Sequence, residues 1–255
     1  MNTLGEIQKT SKAKDERHVL LSYYGRLNYS FDSRYMLTTT IRRDATSRFA
    51  KNVRWGTFPS VALGWRVTEE SFLKDNKVLS NLKIRASYGV TGQQDGIGNY
   101  NYLPIYTQSQ NGAEGIMGNE YIHTYRPSSY VPDLKWETTT SWNIGFDFGF
   151  LKDRITGSFD YYTRQTKDLI ATVPAAAGTT FDRNITTNVV NVDSQGIEFS
   201  VNATPIQTED WNWDVSFNMT WQKMKVKNLS LSAGTVATNT SVGPYIDSYQ
   251  VQTLS

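Results

Sequence analysis

The sequence contains no cysteine and only two histidines among its 255 residues. The absence of cysteine excludes disulfide scaffolds and thiolate metal sites, although it leaves the redox compartment open. Because His18 and His123 lie far apart in the sequence, we expect neither a histidine-based catalytic triad nor a zinc site. No other group of residues has the spacing of a known catalytic or cofactor motif. The sequence therefore predicts no enzymatic activity, no metal and no cofactor.

Long apolar runs and an excess of one charge are also absent. No stretch approaches the 18 consecutive apolar residues of a transmembrane helix. The 26 basic residues against 24 acidic ones give no field that would favour nucleic acid as a partner. Residues 1–16 are polar throughout and lack the apolar segment of an export signal. Either the protein is cytoplasmic or Met1 is not the start of the natural chain.

Aromatic residues are abundant, with 15 Tyr, 11 Phe and 7 Trp in a chain of mean hydropathy −0.49. The dominant pattern is alternation with period two, which predicts β-strands. In the clearest segment, 136–150, even positions are mostly apolar or aromatic and odd positions carry no apolar side chain. A strand of that length spans roughly 50 Å, well beyond the strands of ordinary globular proteins.

Seven further segments alternate in the same way: 21–31, 35–41, 55–67, 82–90, 155–162, 197–204 and 211–222. Short connections are predicted near 32–34, 151–154 and 205–210, and a small helix is predicted within 68–81. Longer loops are predicted near 44–54, 92–134 and 165–190, with a polar tail after Lys223. This arrangement predicts an all-β, antiparallel up-and-down meander with one plain end and one elaborated end.

Alternation fits both a soluble sandwich and a membrane barrel whose apolar face meets lipid. Ten residues of a tilted strand rise roughly 23 Å, close to the height of the apolar band in such barrels. On two segments a pair of tryptophans lies ten residues apart on the same face. The apolar face also carries no charged residue, which favours the barrel. We therefore predict membrane-interface aromatics at Trp55, Trp65, Trp136, Trp211 and Trp221. The polar face predicts lumen-facing charges at Arg26, Arg85, Glu137, Asp147, Asp160, Glu198 and Asp214.

The predicted loop 92–134 is rich in tyrosine and in amide side chains. Flat rings beside amide donors and acceptors can stack on sugars and hydrogen-bond their hydroxyls. Such rings can equally pack the loop itself or contact a partner protein. The candidate ligand-binding residues are Tyr100, Tyr102, Tyr106, Tyr121, Tyr125 and Tyr130.

Several phrases of the sequence resemble the SusC/RagA family of TonB-dependent outer-membrane transporters. They include GRLNYSF (25–31), WGTFPSVALGWRVTEESFL (55–73), LKIRASYGVTGQQD (82–95), a long stretch over 132–170 and GIEFSVNATPI (196–206). The resemblance implies a 22-stranded barrel in the bacterial outer membrane, energised through TonB by a region upstream of these residues. It also implies a SusD-like surface lipoprotein as partner and oligosaccharides or peptides as substrates.

The resemblance further implies that this chain is an interior part of the barrel, with about eight strands from its C-terminal half. On that basis residues 1–18 form a polar N-terminal segment, 19–230 a partial barrel, and 231–255 a polar loop or truncated end. Two alternatives stay open at this point. Eight strands can close by themselves into a small porin-like or adhesin-like barrel, and a secreted carbohydrate-binding β-sandwich would show the same alternation.

Overall fold

The structure is a computed structural model that describes residues 17–74, 76–108, 115–175, 178, 180, 182–229 and 246–254. Within these residues thirteen strands follow one another along the chain. They are β1 (Leu20–Phe31), β2 (Tyr35–Thr46), β3 (Trp55–Arg66), β4 (Leu79–Gln93), β5 (Tyr106–Gln108), β6 (Gly115–Met117), β7 (Glu120–Ile122), β8 (Tyr125–Pro127), β9 (Glu137–Phe150), β10 (Ile155–Pro174), β11 (Asn184–Gln207), β12 (Asn212–Leu229) and β13 (Ile246–Leu254).

Nine of these strands form one sheet in the order β1-β2-β3-β4-β9-β10-β11-β12-β13, and every pair is antiparallel. The predicted all-β meander is therefore confirmed. Among the described residues β1 and β13 lie at opposite edges and do not pair with each other, so the sheet does not close into a small barrel. Its long strands belong to a single sheet, which also differs from a two-sheet sandwich.

The registers place side chains of one kind in rows that cross the sheet. From β1 to β12 one row joins eight apolar residues in paired positions: Phe31, Tyr35, Trp65, Ile84, Phe146, Phe159, Phe199 and Met219. The adjacent row, on the other face, contains Arg85, Asp160 and Glu198. The two faces of the sheet are therefore chemically distinct across these strands, and we call them the apolar face and the polar face.

The part of the apolar face that lies between the tryptophans, which we call the apolar band, runs obliquely to these rows. Trp55 and Trp65 bound it on β3. Trp211, directly before β12, and Trp221 on β12 bound it at that strand. Following the pairing from strand to strand, Trp221 is in register with Leu63, eight residues along β3 from Trp55. Eight residues rise about 26 Å and five inter-strand spacings cover about 24 Å. The band therefore crosses the strands at roughly 45°, the tilt of strands in transmembrane barrels.

Three predictions, two about the connections and one about the polar tail, are wrong. The described residues of 68–81, which exclude 75, form no α-helix, only a 3-10 turn at Val67–Glu69 followed by hydrogen-bonded turns. The long loop predicted at 165–190 is short, because β10 continues to Pro174 and β11 begins at Asn184. Beyond the apolar band apolar residues stand at adjacent positions, as in Leu169–Ile170 and Val189–Val190, so the alternation disappears although the strands continue. β12 also continues past Lys223 to Leu229, and β13 adds a strand in the predicted polar tail.

A small hydrophobic core lies at the end of the sheet that carries the longer connections. Phe49, Phe58, Ile97, Leu134 and Trp136 bury one another there, and Trp136 makes edge-on contacts with the rings of Phe49 and Phe58. We call these five residues the loop-end core. Among the described residues no helix is long and apolar enough to cross a membrane.

Candidate functional site

Three of the predicted lumen-facing charges form one ion-pair cluster on the polar face. Arg85 on β4 makes a bidentate contact with Asp147 on β9, with Nε and Nη2 donating over 3.0 and 2.8 Å. The same Nη2 donates to Asp160 Oδ2 on β10 over 2.9 Å. The three side chains are partly buried, and charge-assisted, bidentate pairs are the strongest hydrogen bonds of proteins. This cluster ties three neighbouring strands together on the polar face.

Gly145 makes the contact between Arg85 and Asp160 possible. It lies on β9 between Arg85 and Asp160, paired with both in the sheet. A Cβ at this position would overlap Asp160 Oδ1 and would approach the Phe159 carbonyl oxygen to 2.8 Å. Arg85 therefore reaches Asp160 across a strand that carries no side chain at the crossing point. Sequence reasoning missed Gly145, and its signal was a glycine on the polar face of an otherwise strongly alternating strand.

The other predicted lumen charges do not join the cluster. Arg26 Nε donates to Asn28 Oδ1 over 3.3 Å, and Glu198 is exposed one strand beyond Asp160. Asp214 accepts from Thr204 Oγ1 and Asn212 Nδ2, near the turn between β11 and β12. Glu137 Oε2 accepts a hydrogen bond from the Ile170 backbone N–H. Its carboxylate therefore contacts β10 where the pairing of β10 with β11 is irregular. That irregularity is the bulge at which Asp168 has a φ of 57°.

Four of the five predicted interface tryptophans lie at the ends of the apolar band. Trp55 stacks on Tyr23 with 6.2 Å between ring centroids, and the Arg43 guanidinium lies 5.0 Å above its ring. Trp211 is exposed and Trp221 is half-buried. Trp136 lies elsewhere: it is 7% exposed in the loop-end core, and its indole N–H donates to the Arg54 carbonyl.

Glu70 organises the opposite end of β3. Its carboxylate accepts from the Tyr35 hydroxyl at 2.6 Å, the Trp65 indole N–H at 3.0 Å and Arg34 Nη1 at 3.1 Å. These contacts lower the pKa of Glu70 below its ordinary value, the hydrogen bond from Tyr35 being the largest cause and that from Trp65 the next. A connection outside the strands therefore fixes two aromatic side chains at the edge of the apolar band.

The candidate ligand-binding tyrosines divide into two groups in the structure. Tyr106 and Tyr125 lie on the paired strands β5 and β8, and Tyr121 lies on β7, with its side chain 73% exposed. Tyr130 is also exposed. Tyr100 and Tyr102 are half-buried, and the Tyr100 hydroxyl accepts the Arg17 backbone N–H at 3.4 Å. Tyr121 pairs with exposed Ile116, next to exposed Met117, so the loop tip presents exposed aromatic and apolar side chains.

The base of the same loop is firmly attached to the sheet. Asn188 exchanges two 3.0 Å hydrogen bonds with the Lys135 backbone and also donates to the Asp168 carbonyl. Lys135 Nζ lies 2.9 Å from Asp168 Oδ2, and Arg48 donates to Asn99 Oδ1 and the Gln94 carbonyl. Apart from Asn99, one of the amide residues of the predicted loop, none of these residues was singled out from the sequence, because their partners lie far away along the chain. The exposed tip therefore stands on a rigid base.

Within the described part of the chain, no group of three or more His, Asp or Glu residues could hold a metal ion.

Comparisons with known proteins agree with this geometry. A family model described as "TonB dependent receptor-like, beta-barrel" matches residues 5–253. TonB-dependent receptor SusC of Bacteroides thetaiotaomicron is 49% identical over 214 residues, which cover 84% of this chain and 21% of that protein. TonB-dependent receptor P39 of Formosa agariphila is 37% identical over 214 residues, covering 84% of this chain and 20% of that protein.

Solved structures give the same picture. The RagAB peptide importer in its closed-closed state matches with a TM-score of 0.74 and 28% identity, over 84% of this chain and 23% of that chain. The siderophore receptor PirA of Pseudomonas aeruginosa has the same fold, with a TM-score of 0.52 at 17% identity. The chain spans about a fifth of the length of the relatives it matches.

Proposed function

The chain belongs to the TonB-dependent receptor-like β-barrel family, and from this premise we propose that it forms part of the wall of an outer-membrane nutrient importer. Proteins of this family are transporters rather than enzymes, and their place is the outer membrane. The observation that carries the proposal is the division of one sheet into an apolar face and a polar, ion-paired face. Lipid on one side and an aqueous lumen on the other account for both faces.

In this proposal the chain is part of a longer exported receptor. That receptor spans the outer membrane and takes energy from TonB through a region outside this chain. The short turns face the periplasm, and the loops that join β2 to β3, β4 to β9 and β10 to β11 face outward. Charged residues of the polar face line the water-filled side of the wall, where they remain hydrated or paired.

We propose oligosaccharides or peptides as the substrates. The similarity to a protein named SusC and to the RagAB peptide importer supports this range, and the exposed tyrosines of the loop tip supply rings suited to either class. The test is uptake by cells that depend on the full-length receptor, offered labelled oligosaccharides and labelled peptides. Uptake of one class that stops on deletion of the receptor gene supports the proposal, whereas unchanged uptake of both classes contradicts it.

A SusD-like surface lipoprotein is the proposed partner, covering the loop end of the barrel. The apolar, aromatic tip on its rigid base supports this proposal, because interfaces are enriched in exposed aromatic residues and methionine. Replacing Tyr106, Tyr121 and Tyr125 with serine should release the lipoprotein from the purified receptor while the barrel stays folded. Serine replacements of Tyr23, Tyr29 and Tyr161 on the apolar face are the matched control. Retention of the lipoprotein by the loop variant would contradict this assignment.

A further inference from the structure

Two depressions lie side by side on the apolar face, near its loop end. The first is an apolar groove lined by Val61, Leu63, Tyr88, Trp142, Ile144 and Tyr161. The second is a polar pocket lined by Gln165, Asp193, Lys223, Lys225 and Lys227. Trp142 and Thr163 line both, so the two depressions are continuous.

The polar pocket begins where the apolar band ends. Lys223, Lys225 and Lys227 occupy alternate positions of β12 directly after Trp221, and alternate residues of a strand point to the same face. Asp193 supplies a carboxylate to the lining: its Oδ2 lies 3.1 Å from Lys227 Nζ, and its Oδ1 accepts from Gln165 Nε2 at 3.3 Å. The lining of the pocket therefore carries more positive than negative charge.

Trp142 marks the junction between the two depressions. Its side chain is 60% exposed and contacts the ring of Tyr88, with 4.5 Å between the centroids. Tryptophan is enriched at the level of lipid headgroups, because its ring is apolar and its N–H is polar. An apolar groove, an interfacial tryptophan and a cluster of cations thus follow one another over a short distance.

We propose that these two depressions bind one anionic lipid of the membrane leaflet at the loop end. Its phosphate lies against Lys223 and Lys225, and an acyl chain lies along the groove below Trp142. Each lysine near an anionic headgroup contributes electrostatic attraction, and the apolar groove excludes water from the chain. A free anion would occupy only the polar pocket and would gain nothing from the groove. The inference rests on the proposed function only in requiring that the apolar face meets lipid.

The test uses the full-length receptor, stripped of lipid in detergent and titrated with phosphatidylglycerol or with neutral phosphatidylcholine, bound lipid being counted by native mass spectrometry. We expect phosphatidylglycerol to bind more tightly than phosphatidylcholine. Replacement of Lys223, Lys225 and Lys227 with glutamine should weaken phosphatidylglycerol binding by at least about tenfold. The matched control replaces exposed Lys51, Lys74 and Lys152 with glutamine, which removes the same charge elsewhere and should leave binding unchanged.

Two further variants separate lipid binding from a folding defect and from the binding of a simple anion. Replacement of the three pocket lysines with arginine keeps the charge and should keep binding, so a folding defect in the glutamine variant does not decide the result. Trp142→Ala should weaken the binding of both lipids, and inorganic phosphate should not compete. Equal loss in the pocket and control variants, no preference for the anionic lipid, or displacement by phosphate would overturn the proposal. Substrate uptake by the glutamine variant should be unchanged, so this proposal can fail while the transport function stands.

Discussion

At the scale of single residues, Gly145 contributes to the structure because it has no side chain. Arg85 and Asp160 are two strands apart, yet they meet at 2.9 Å because the strand between them presents no Cβ. The φ of Gly145 is not positive, so the role of this glycine is steric. A larger residue there would lower the stability, because it would break the contact between Arg85 and Asp160.

We therefore expect Gly145→Ala to destabilise the full-length receptor by about 1–3 kcal/mol, the usual cost of overpacking. The matched control is Gly89→Ala, on the polar face of β4, where an added Cβ would meet only the Ser60 Cβ at an ordinary 3.5 Å. The measurement is the folded fraction of each variant during urea titration in lipid vesicles. Equal stability of the two variants would show that the ion-pair cluster does not need the gap.

A second residue-scale prediction concerns Glu70. Its pKa is lowered in the folded protein, chiefly by the hydrogen bond from Tyr35, so its contribution to stability is present above the ordinary glutamate pKa of about 4.3. That contribution is lost as the pH falls through the lowered folded value. The melting temperature of the receptor should therefore exceed that of the Glu70→Ala variant at pH 7, and the gap should narrow on acidification below about pH 4.

Glu69→Ala removes the neighbouring carboxylate, for which no such hydrogen bonds are present among the described residues, and it serves as the control. At pH 7 its melting temperature should stay close to that of the parent receptor. A Glu70 gap that widened in acid would contradict the assigned sign.

At the scale of elements, the sequence could predict strands where lipid and water impose opposite demands on the two faces. β1, β3, β9 and the membrane part of β12 follow from that alternation, and their observed bounds lie within a few residues of the predicted ones. The outer parts of β10 and β11 could not be predicted in this way, because Ile170 packs on the loop-end core, Val189 is buried and the pairing shifts register near Leu169, so the strict alternation is lost. Their Thr- and Val-rich composition, including Thr172 paired with Thr186, was the remaining signal.

The candidate site divides similarly. Arg85, Asp147 and Asp160 could be assigned to one face by parity, but their mutual contact depends on registers between β4, β9 and β10 that a single sequence does not contain. The prediction placed Trp136 on the apolar face, because it has the parity of the other even positions of its strand. The structure instead begins β9 one residue later and turns this ring into the loop-end core.

A pair of adjacent positions on β4 tests which face of an element meets lipid. Ala86 lies on the apolar face near the middle of the band, and Ser87 lies on the polar face beside Arg85. Both side chains are small, so arginine at either position adds similar volume and the same charge. Ala86→Arg should destabilise the receptor by about 2–4 kcal/mol, the cost of arginine at the bilayer midplane.

Ser87→Arg should change stability by less than about 1 kcal/mol, because its charge stays in water. Unfolding in lipid vesicles measures both variants. A larger loss for Ser87→Arg than for Ala86→Arg would reverse the assignment of the two faces.

At the scale of the whole molecule, the sheet is coherent but open. β1 and β13 each pair on one side only among the described residues, and unpaired strand edges are costly in lipid. The obliquely running band gives a tilt of about 45°, which is the geometry of a wall that continues into a larger closed barrel. The proposed importer thus draws its lumen and its loops from more chain than these residues provide, and the two faces of this sheet form part of its wall.

The proposed function depends on those two faces, and the absence of cysteine from this chain makes them directly measurable. Single cysteines introduced at positions 141–148 of β9 in the full-length receptor, reconstituted in lipid, would each carry a spin label. We predict that spin labels at even positions collide mainly with oxygen dissolved in lipid, and that spin labels at odd positions collide mainly with a water-soluble nickel reagent. The unsubstituted receptor is the labelling control. Water accessibility at the even positions, or no period of two at all, would contradict the assignment of the faces and the function that rests on it.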